Sequence, residues 1–372
     1  MNKPILTFVA AMVLTITITA QVATYQFTPV HQIKVGDTED QCSSGTCWSF
    51  ATISFLEAEI IRKGNKPIDL SEMFNVHHTY QKKAESYVRY QGKQQFGPGG
   101  LSHDVIHIVK EFGLVPESAY AGLTFNEVRH NHDGLDNLLE STVNTVLKKN
   151  LNANNQNWKK SVTSILDANL GALPTTFTYE GKEYNPITFR DAMKINASDY
   201  VSITSFSHHP FNESFVLEVP DNWAKGSFYN VTLDDMMSIT DNALAKGYSI
   251  AWDADVSERG FDFGQGMALL PEATVTKDEL FKKVITEQQV TQANRQAGFD
   301  SFETTDDHLM HLTGMAKDQN GQLYYTIKNS WGTKNPYNGY QYISKAYYQM
   351  KTVGIVVHKD AIPTEIRKKL GL

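Results

Sequence analysis

Cysteine is almost missing from this chain: two in 372 residues, Cys42 and Cys47. So few thiols give no disulfide framework, so the fold must rest on its core, which this length can supply. Cationic excess is missing too. Lys and Arg number 34 against 41 Asp and Glu, a formal charge of −7, and the pI is near 5.9. That balance provides no general basic surface and argues against nucleic acid as a partner. Internal repeats and low-complexity tracts are absent as well.

The chain opens with one Lys and an apolar run, Ile5 to Leu14, ending in small residues near Ala20. Residues 1–20 have the form of a secretory signal peptide, and the run is too short to span a bilayer comfortably. The expectation is a secreted or periplasmic protein, with no stable membrane insertion once the signal is removed. In an oxidising compartment two cysteines invite a disulfide. A Cys42–Cys47 bond would strain the short turn between them, which leaves at most a reversible lock.

Gln41-Cys42-Ser43-Ser44-Gly45-Thr46-Cys47-Trp48-Ser49-Phe50 is the stretch that carries chemistry. Cys47 follows a Ser-Gly turn and opens a run with Phe50, Ile53, Leu56 and Ile60 at helical spacing. A thiol at a helix N-terminus sits at the positive end of the macrodipole, which favours thiolate. Gln41, across the turn, can point its amide back toward an oxyanion. A lone Cys is more often a small buried residue; Gln, Gly, Cys and Trp in this spacing shift the balance toward a nucleophile.

This segment resembles the papain-like cysteine peptidases, most closely the bleomycin hydrolase and aminopeptidase C branch. The resemblance implies Cys47 as nucleophile, Gln41 as oxyanion-hole side chain, and a His and then an Asn far downstream. Both are found. Asp306-Asp307-His308-Leu309-Met310-His311-Leu312-Thr313-Gly314 contains the His, and Asn329-Ser330-Trp331-Gly332 closely matches the family's Asn-Ser-Trp-Gly. Alignment on Leu-Thr-Gly makes His308 the base and His311 its rival. Asn329 would fix the imidazole, and Trp331 would shield that hydrogen bond. Leu70-Ser71-Glu72 followed by Gly97-Pro98-Gly99-Gly100 also fits the family, with Gly99 and Gly100 binding the substrate main chain. Two departures stand out. Leu309 occupies a position that is usually Ala, and His308 lies 261 residues beyond Cys47, against roughly 130–150 in papain-like enzymes. Insertions in the bleomycin hydrolase branch lengthen this interval.

The fold class expected is α+β, papain-like and two-lobed, with a helical lobe carrying the Cys helix and a β-rich lobe carrying the His and Asn. Residues 21–372 form one peptidase domain: helix-rich over about 38–170, strand-rich over about 175–360, with a tail at 361–372. A helical pair is expected from Thr124 to about Leu170, divided by an Asn-rich loop at Asn150 to Asn157. Further helices are expected over 232–247 and from the Thr276-x-x-Glu279 capping box. Strands are expected at 201–206, 214–219, 249–254, 323–328, 340–344 and 353–358, and a terminal helix over Glu365 to Leu370.

His103-Asp104-Val105-Ile106-His107 is a weak echo of a zinc motif without a third ligand nearby, so no metal and no other cofactor is expected. His77-His78 and His208-His209 read as surface or packing residues. Peptides are the expected substrates, and the activity the family implies is that of an aminopeptidase. An open-cleft endopeptidase, a Cys-His acyltransferase and a catalytically dead binding protein are the alternatives. The family's hexameric barrel is one expectation for assembly. The short segment between Glu72 and Gly99 allows a monomer or dimer instead.

Overall fold

The computed structural model describes residues 25–124, 127–149 and 156–372, so the expected signal peptide lies outside the described residues. Five long helices dominate the first half: α1 (Cys47–Arg62), α2 (Glu72–Arg89), α3 (Ser102–Phe112), α4 (Leu135–Lys148) and α5 (Asn157–Leu170). They are preceded by strand β1 (Thr28–Gln32).

Helix α1 is central because its sequence lets it be. Every residue from Trp48 to Ile60 is buried, and a helix apolar nearly all round must lie inside a core. It packs between the other helices and the sheet, with Phe55, Leu56 and Ile60 fully enclosed. Helix α2 begins where Ser71 accepts the Phe74 N–H, an N-cap of the ordinary kind. Helix α3 ends at Gly113, whose φ of +96° a side chain would resist.

A hairpin, β2 (Phe177–Tyr179) with β3 (Lys182–Tyr184), and α6 (Pro186–Ala192) lead into the strand-rich half. There follow β4 (Tyr200–Thr204), β5 (Ser214–Val216), β6 (Ser227–Asn230), α7 (Leu233–Ala245), β7 (Ile250–Ala254), β8 (Phe261–Asp262), β9 (Met267–Ala268) and α8 (Gln292–Asp300). The chain closes with β10 (His308–Lys317), β11 (Leu323–Lys328), β12 (Tyr340–Ser344), α9 (Lys345–Lys351), β13 (Thr352–His358) and α10 (Thr364–Leu370). The large sheet runs β5-β6-β4-β13-β7-β10-β11-β12-β9-β8, with β1 also paired to β10.

Strand β10 joins the lobes. Its first half, His308 to Leu312, pairs with β7, and Gly314 to Lys317 pair with β1. One core lies between the helices and the sheet and includes Ala251, Leu309 and the flank of Cys47. A second lies on the other face, around Trp252, Met310, Tyr325 and Tyr348, and takes in α7. The fold is the expected α+β, papain-like arrangement.

Some local expectations change. Helix α4 begins at Leu135, not near Thr124, since Gly134 adopts φ +86° and starts the helix afresh. The Asn-rich loop falls mostly outside the described residues. The Thr276–Glu279 box does form its hydrogen bond, at 3.1 Å. The chain there makes turns rather than a helix, because the stretch that follows offers too short an apolar face to propagate one. Helix α8, unmarked in the sequence reading, is buried chiefly through polar side chains: Arg295 reaches the carbonyls of Ser205, Gln349 and Thr352.

Candidate active site

Cys47 is the first residue of α1, and Gly45 makes the turn before it. Gly45 has φ +66°, and a Cβ there would lie 2.8 Å from Pro98. Trp48 then ties the turn to the glycine loop by donating from Nε1 to the Pro98 carbonyl at 2.9 Å. Cys42 and Cys47 are both free thiols; Cys42 faces Arg129, whose Nε lies 3.4 Å from its sulfur.

Opposite Cys47, the start of β10 and the turn after β11 bring His308 and Asn329 together. His308 Nε2 and Asn329 Oδ1 are 2.8 Å apart. The Ser330 N–H donates to the same Oδ1 at 2.7 Å, and Asn329 Nδ2 donates to Gln341 Oε1 at 2.8 Å. Those two bonds fix which end of the Asn329 amide is oxygen. His308 Nε2 must therefore carry the proton, which leaves Nδ1 as the basic nitrogen. Trp331 stacks on the imidazole, ring centres 4.4 Å apart, and His308 is only 4 % exposed.

Gln41 is held by the same turn. Its N–H donates to the Ser330 carbonyl at 2.8 Å, and its Oε1 accepts the Ser330 hydroxyl at 2.6 Å. With the amide oxygen occupied, the NH2 end is the free donor, as an oxyanion requires. His311 goes elsewhere. It is fully buried, with Nδ1 2.8 Å from Ser54 Oγ on α1, and so packs one lobe onto the other.

Burial dominates the electrostatics of the site. The half-buried thiol faces the Leu309 N–H, which favours its ionised form. Burial pushes the thiol up to about 12, and the carboxyl groups of Asp306, Asp253 and Asp221 add to the rise. Burial likewise pushes His308 down to about 4, against the hydrogen bond to Asn329 and the nearby Asp307. Both groups are driven toward their neutral forms.

Gly100 lies against the Trp48 ring, which a Cβ would meet at 3.1 Å, and a Cβ on Gly99 would lie 1.9 Å from Asp221 Oδ2. A side chain at Gly99 would collide with Asp221, and one at Gly100 would fit only if Trp48 and Asp104 gave way slightly. Behind the loop, Lys83 is buried and donates to the carbonyls of Gly97 and Gly99. Asp104 caps α3 by accepting the Leu101 N–H and also takes the Trp223 indole N–H at 3.0 Å. His103 is packed against Gly226 and Phe228. The cluster that could hold a metal among the described residues is instead His208, His209 and Glu218, with the two imidazoles already bonded to the carboxylate.

Sequence reasoning missed Ser330 and Gln341, which orient the site, and the carboxyl groups of Asp221, Asp253 and Asp306. A signal for the last was available: an Asp in the middle of the apolar strand Ile250–Ala254.

A two-lobed α+β fold with a cysteine at the head of its central helix and a His–Asn pair on the facing sheet is that of the papain-like cysteine peptidases. The chain belongs to the Peptidase C1-like family, whose model matches residues 9–371, and it is a cysteine-type peptidase. It is 22 % identical to aminopeptidase C of Lactobacillus helveticus, over 91 % of this chain and 82 % of that protein. It is also 22 % identical to bleomycin hydrolase of Rattus norvegicus, over 88 % and 81 %. The crystal structure of PepW from Lactobacillus rhamnosis superposes with a TM-score of 0.72 at 21 % identity, covering 92 % of this chain and 84 % of that one. These relatives overturn the secreted or periplasmic address. Aminopeptidase C and bleomycin hydrolase homologues are typically cytoplasmic enzymes, and the family match begins inside the stretch read as a signal.

Proposed function

We propose that this enzyme is an aminopeptidase that hydrolyses peptides through a Cys47 acyl-enzyme. The observation that carries the reading is the oriented set of amides around Cys47: Asn329 fixing His308, and Ser330 fixing Gln41. Cys47 Sγ attacks the scissile carbonyl while its proton passes to His308 Nδ1. The oxyanion is received by the Gln41 amide and the Cys47 backbone N–H. Collapse expels the amine, which takes the proton from His308. Water then attacks the thioester with His308 as base, releasing the acid and restoring the thiol.

Exopeptidase action is favoured by the kinship with aminopeptidase C and by Asp221, which stands against Gly99 where a longer substrate would run. In the bleomycin hydrolase family the C-terminal arm blocks the cleft. Here Leu370 and Leu372 pack into the second core, and Lys369 pairs with Asp235 of α7 at 2.9 Å. Asp221, in the 217–223 loop, is the group that stands at Gly99. The test is one internally quenched peptide, free or N-acetylated, with products mapped by mass. Stepwise N-terminal loss that acetylation stops is the expected result; internal cleavage indifferent to acetylation overturns it.

A further inference from the structure

Asp253 has no evident structural employment. It lies in β7, whose Trp252 and Ala254 face the second core, while Ala251 faces the first. Alternation puts Asp253 on the Ala251 face, directly across from Leu309, the residue whose N–H meets the Cys47 sulfur. The side chain is 5 % exposed. Neither oxygen has an N–H or hydroxyl donor among the described residues, and Asp306 Oδ2 beside it also lacks one, so the two carboxyl groups have chiefly each other. An unpaired buried carboxylate costs several kcal/mol, so a fold keeps two in contact only at a loss to itself.

Their surroundings do not compensate them. After desolvation, what acts on Asp253 comes from other carboxyl groups: first Asp306, by its charge and by a hydrogen bond between the two side chains, and then Asp221 and Asp307, all of which raise Asp253. Asp306 is pushed up to about 7, by burial first and then by Asp221. Lys83 offsets Asp221 and Asp104, but its ammonium is spent on the Gly97 and Gly99 carbonyls. The result is a cluster of three carboxyl groups: Asp221 stands against Gly99 and takes one hydrogen bond, from Gln95 at 2.7 Å, while Asp253 has no N–H or hydroxyl donor on either oxygen.

We infer that Asp253 and Asp306, with Asp221 at the rim, form a receptor for a primary ammonium group of the substrate next to the scissile bond. The chemistry fits because an ammonium carries three N–H donors and one positive charge, and the cluster offers acceptor oxygens on carboxyl groups that a bound cation would favour in their ionised form. Two sources present that group: the α-ammonium of an N-terminal residue, and a lysine side chain one residue before the bond. The first follows from the aminopeptidase reading on which this inference rests. It also gives the site a way to select chain ends that does not use the C-terminus.

Binding can be measured apart from turnover by placing Asp253→Asn and Asp306→Asn on a Cys47→Ala background. The ligands are leucyl-glycinamide, free or N-acetylated, and acetyl-lysyl-leucinamide against acetyl-norleucyl-leucinamide. The single Cys47→Ala protein should bind one amine-bearing ligand at least tenfold more tightly than its uncharged counterpart, and either Asn variant should remove that preference. Preference for free leucyl-glycinamide assigns the α-ammonium, and preference for the lysyl peptide assigns the side chain. Equal affinity within both pairs, or a preference that survives both Asn variants, overturns the receptor. Thermal melting identifies a variant that fails to fold, and Asp306→Asn, at a half-buried position, is the gentler of the two. Turnover by the unmodified enzyme is read separately. If it cleaves no peptide while the ammonium preference stands, the peptidase mechanism falls and the receptor does not.

Discussion

Ser330 donates its hydroxyl to the Gln41 amide oxygen across the interface between the lobes, at 2.6 Å. One hydrogen bond therefore sets which end of Gln41 faces the reacting carbonyl. Gln41→Ala should lower kcat by about 10²–10³-fold with little change in KM, since an oxyanion donor acts mainly in the transition state. Ser330→Ala should give a smaller loss of the same kind, roughly tenfold, the worth of one positioning hydrogen bond. Steady-state kinetics on both variants checks this. A Ser330→Ala effect confined to KM would mean that the hydroxyl serves substrate binding instead.

His308 and His311 lie on one strand and do different work. His308→Ala should abolish turnover and leave the fold intact. His311→Ala removes a buried ring bonded to Ser54 and should cost about 1–3 kcal/mol of stability while keeping most activity. Denaturant melts beside kcat measurements separate the two, and the reverse pattern would move the base to His311.

The pH dependence of Cys47 follows from burial. A thiol pushed up to about 12 is protonated at neutral pH, and its thiolate fraction grows as pH rises. An imidazole pushed down to about 4 is already a competent base above pH 5. Alkylation of Cys47 by iodoacetamide should thus be slow at pH 5 and rise steadily through pH 9. A rate already high at pH 5 and flat to pH 8 would show a preformed thiolate–imidazolium pair.

Glu57 on α1 offers a second titration, in stability. It is buried, accepts the Leu70 N–H at 2.9 Å and lies near Lys328. Burial raises it from 4.5 to about 8 despite that lysine. A carboxyl raised on folding contributes stability that is whole below pH 4.5 and is lost as pH climbs through 8. Glu57→Gln keeps the acceptor and removes the charge. It should therefore raise Tm at pH 9 relative to the parent and change it little at pH 5; an equal gain at both values would point to packing.

Cys47, Gly99 and Gly100, His308 and Asn329 stand out in the sequence because each belongs to a local motif of the family it resembles, and the structure joins His308 to Asn329. The strands Tyr340–Ser344 and Leu323–Lys328 were legible to the residue because β-branched and aromatic side chains end at polar turns. Ser330 and Gln341 were not, since their roles exist only once Gln41 and Asn329 approach from distant segments. Asp253 was hidden by its own strand: an alternating pattern says which face a residue takes, not that an acid on that face lies next to a cysteine 206 positions earlier. The address failed for a different reason. A short apolar start is compatible with several fates, and the relatives decided among them.

The C-terminus provides the last test. Ile366 and Leu370 of α10 are buried in the second core, and Arg367 pairs with Asp360 at 3.2 Å. The resemblance to the bleomycin hydrolase branch implies a C-terminal arm that lies in the cleft. Here residues 364–372 pack against the far side of the sheet. A chain ending at Pro363 should lose about 2–5 kcal/mol of stability from two buried aliphatic side chains. Its discrimination between free and N-acetylated peptides should be unchanged at a temperature where it remains folded. Replacing the 217–223 loop by a short Gly-Ser turn should do the opposite, lowering that discrimination because Asp221 no longer stands over Gly99. If the truncated enzyme begins to cleave acetylated peptides internally while staying folded, the C-terminus guards the cleft after all, and the role given to the loop is wrong.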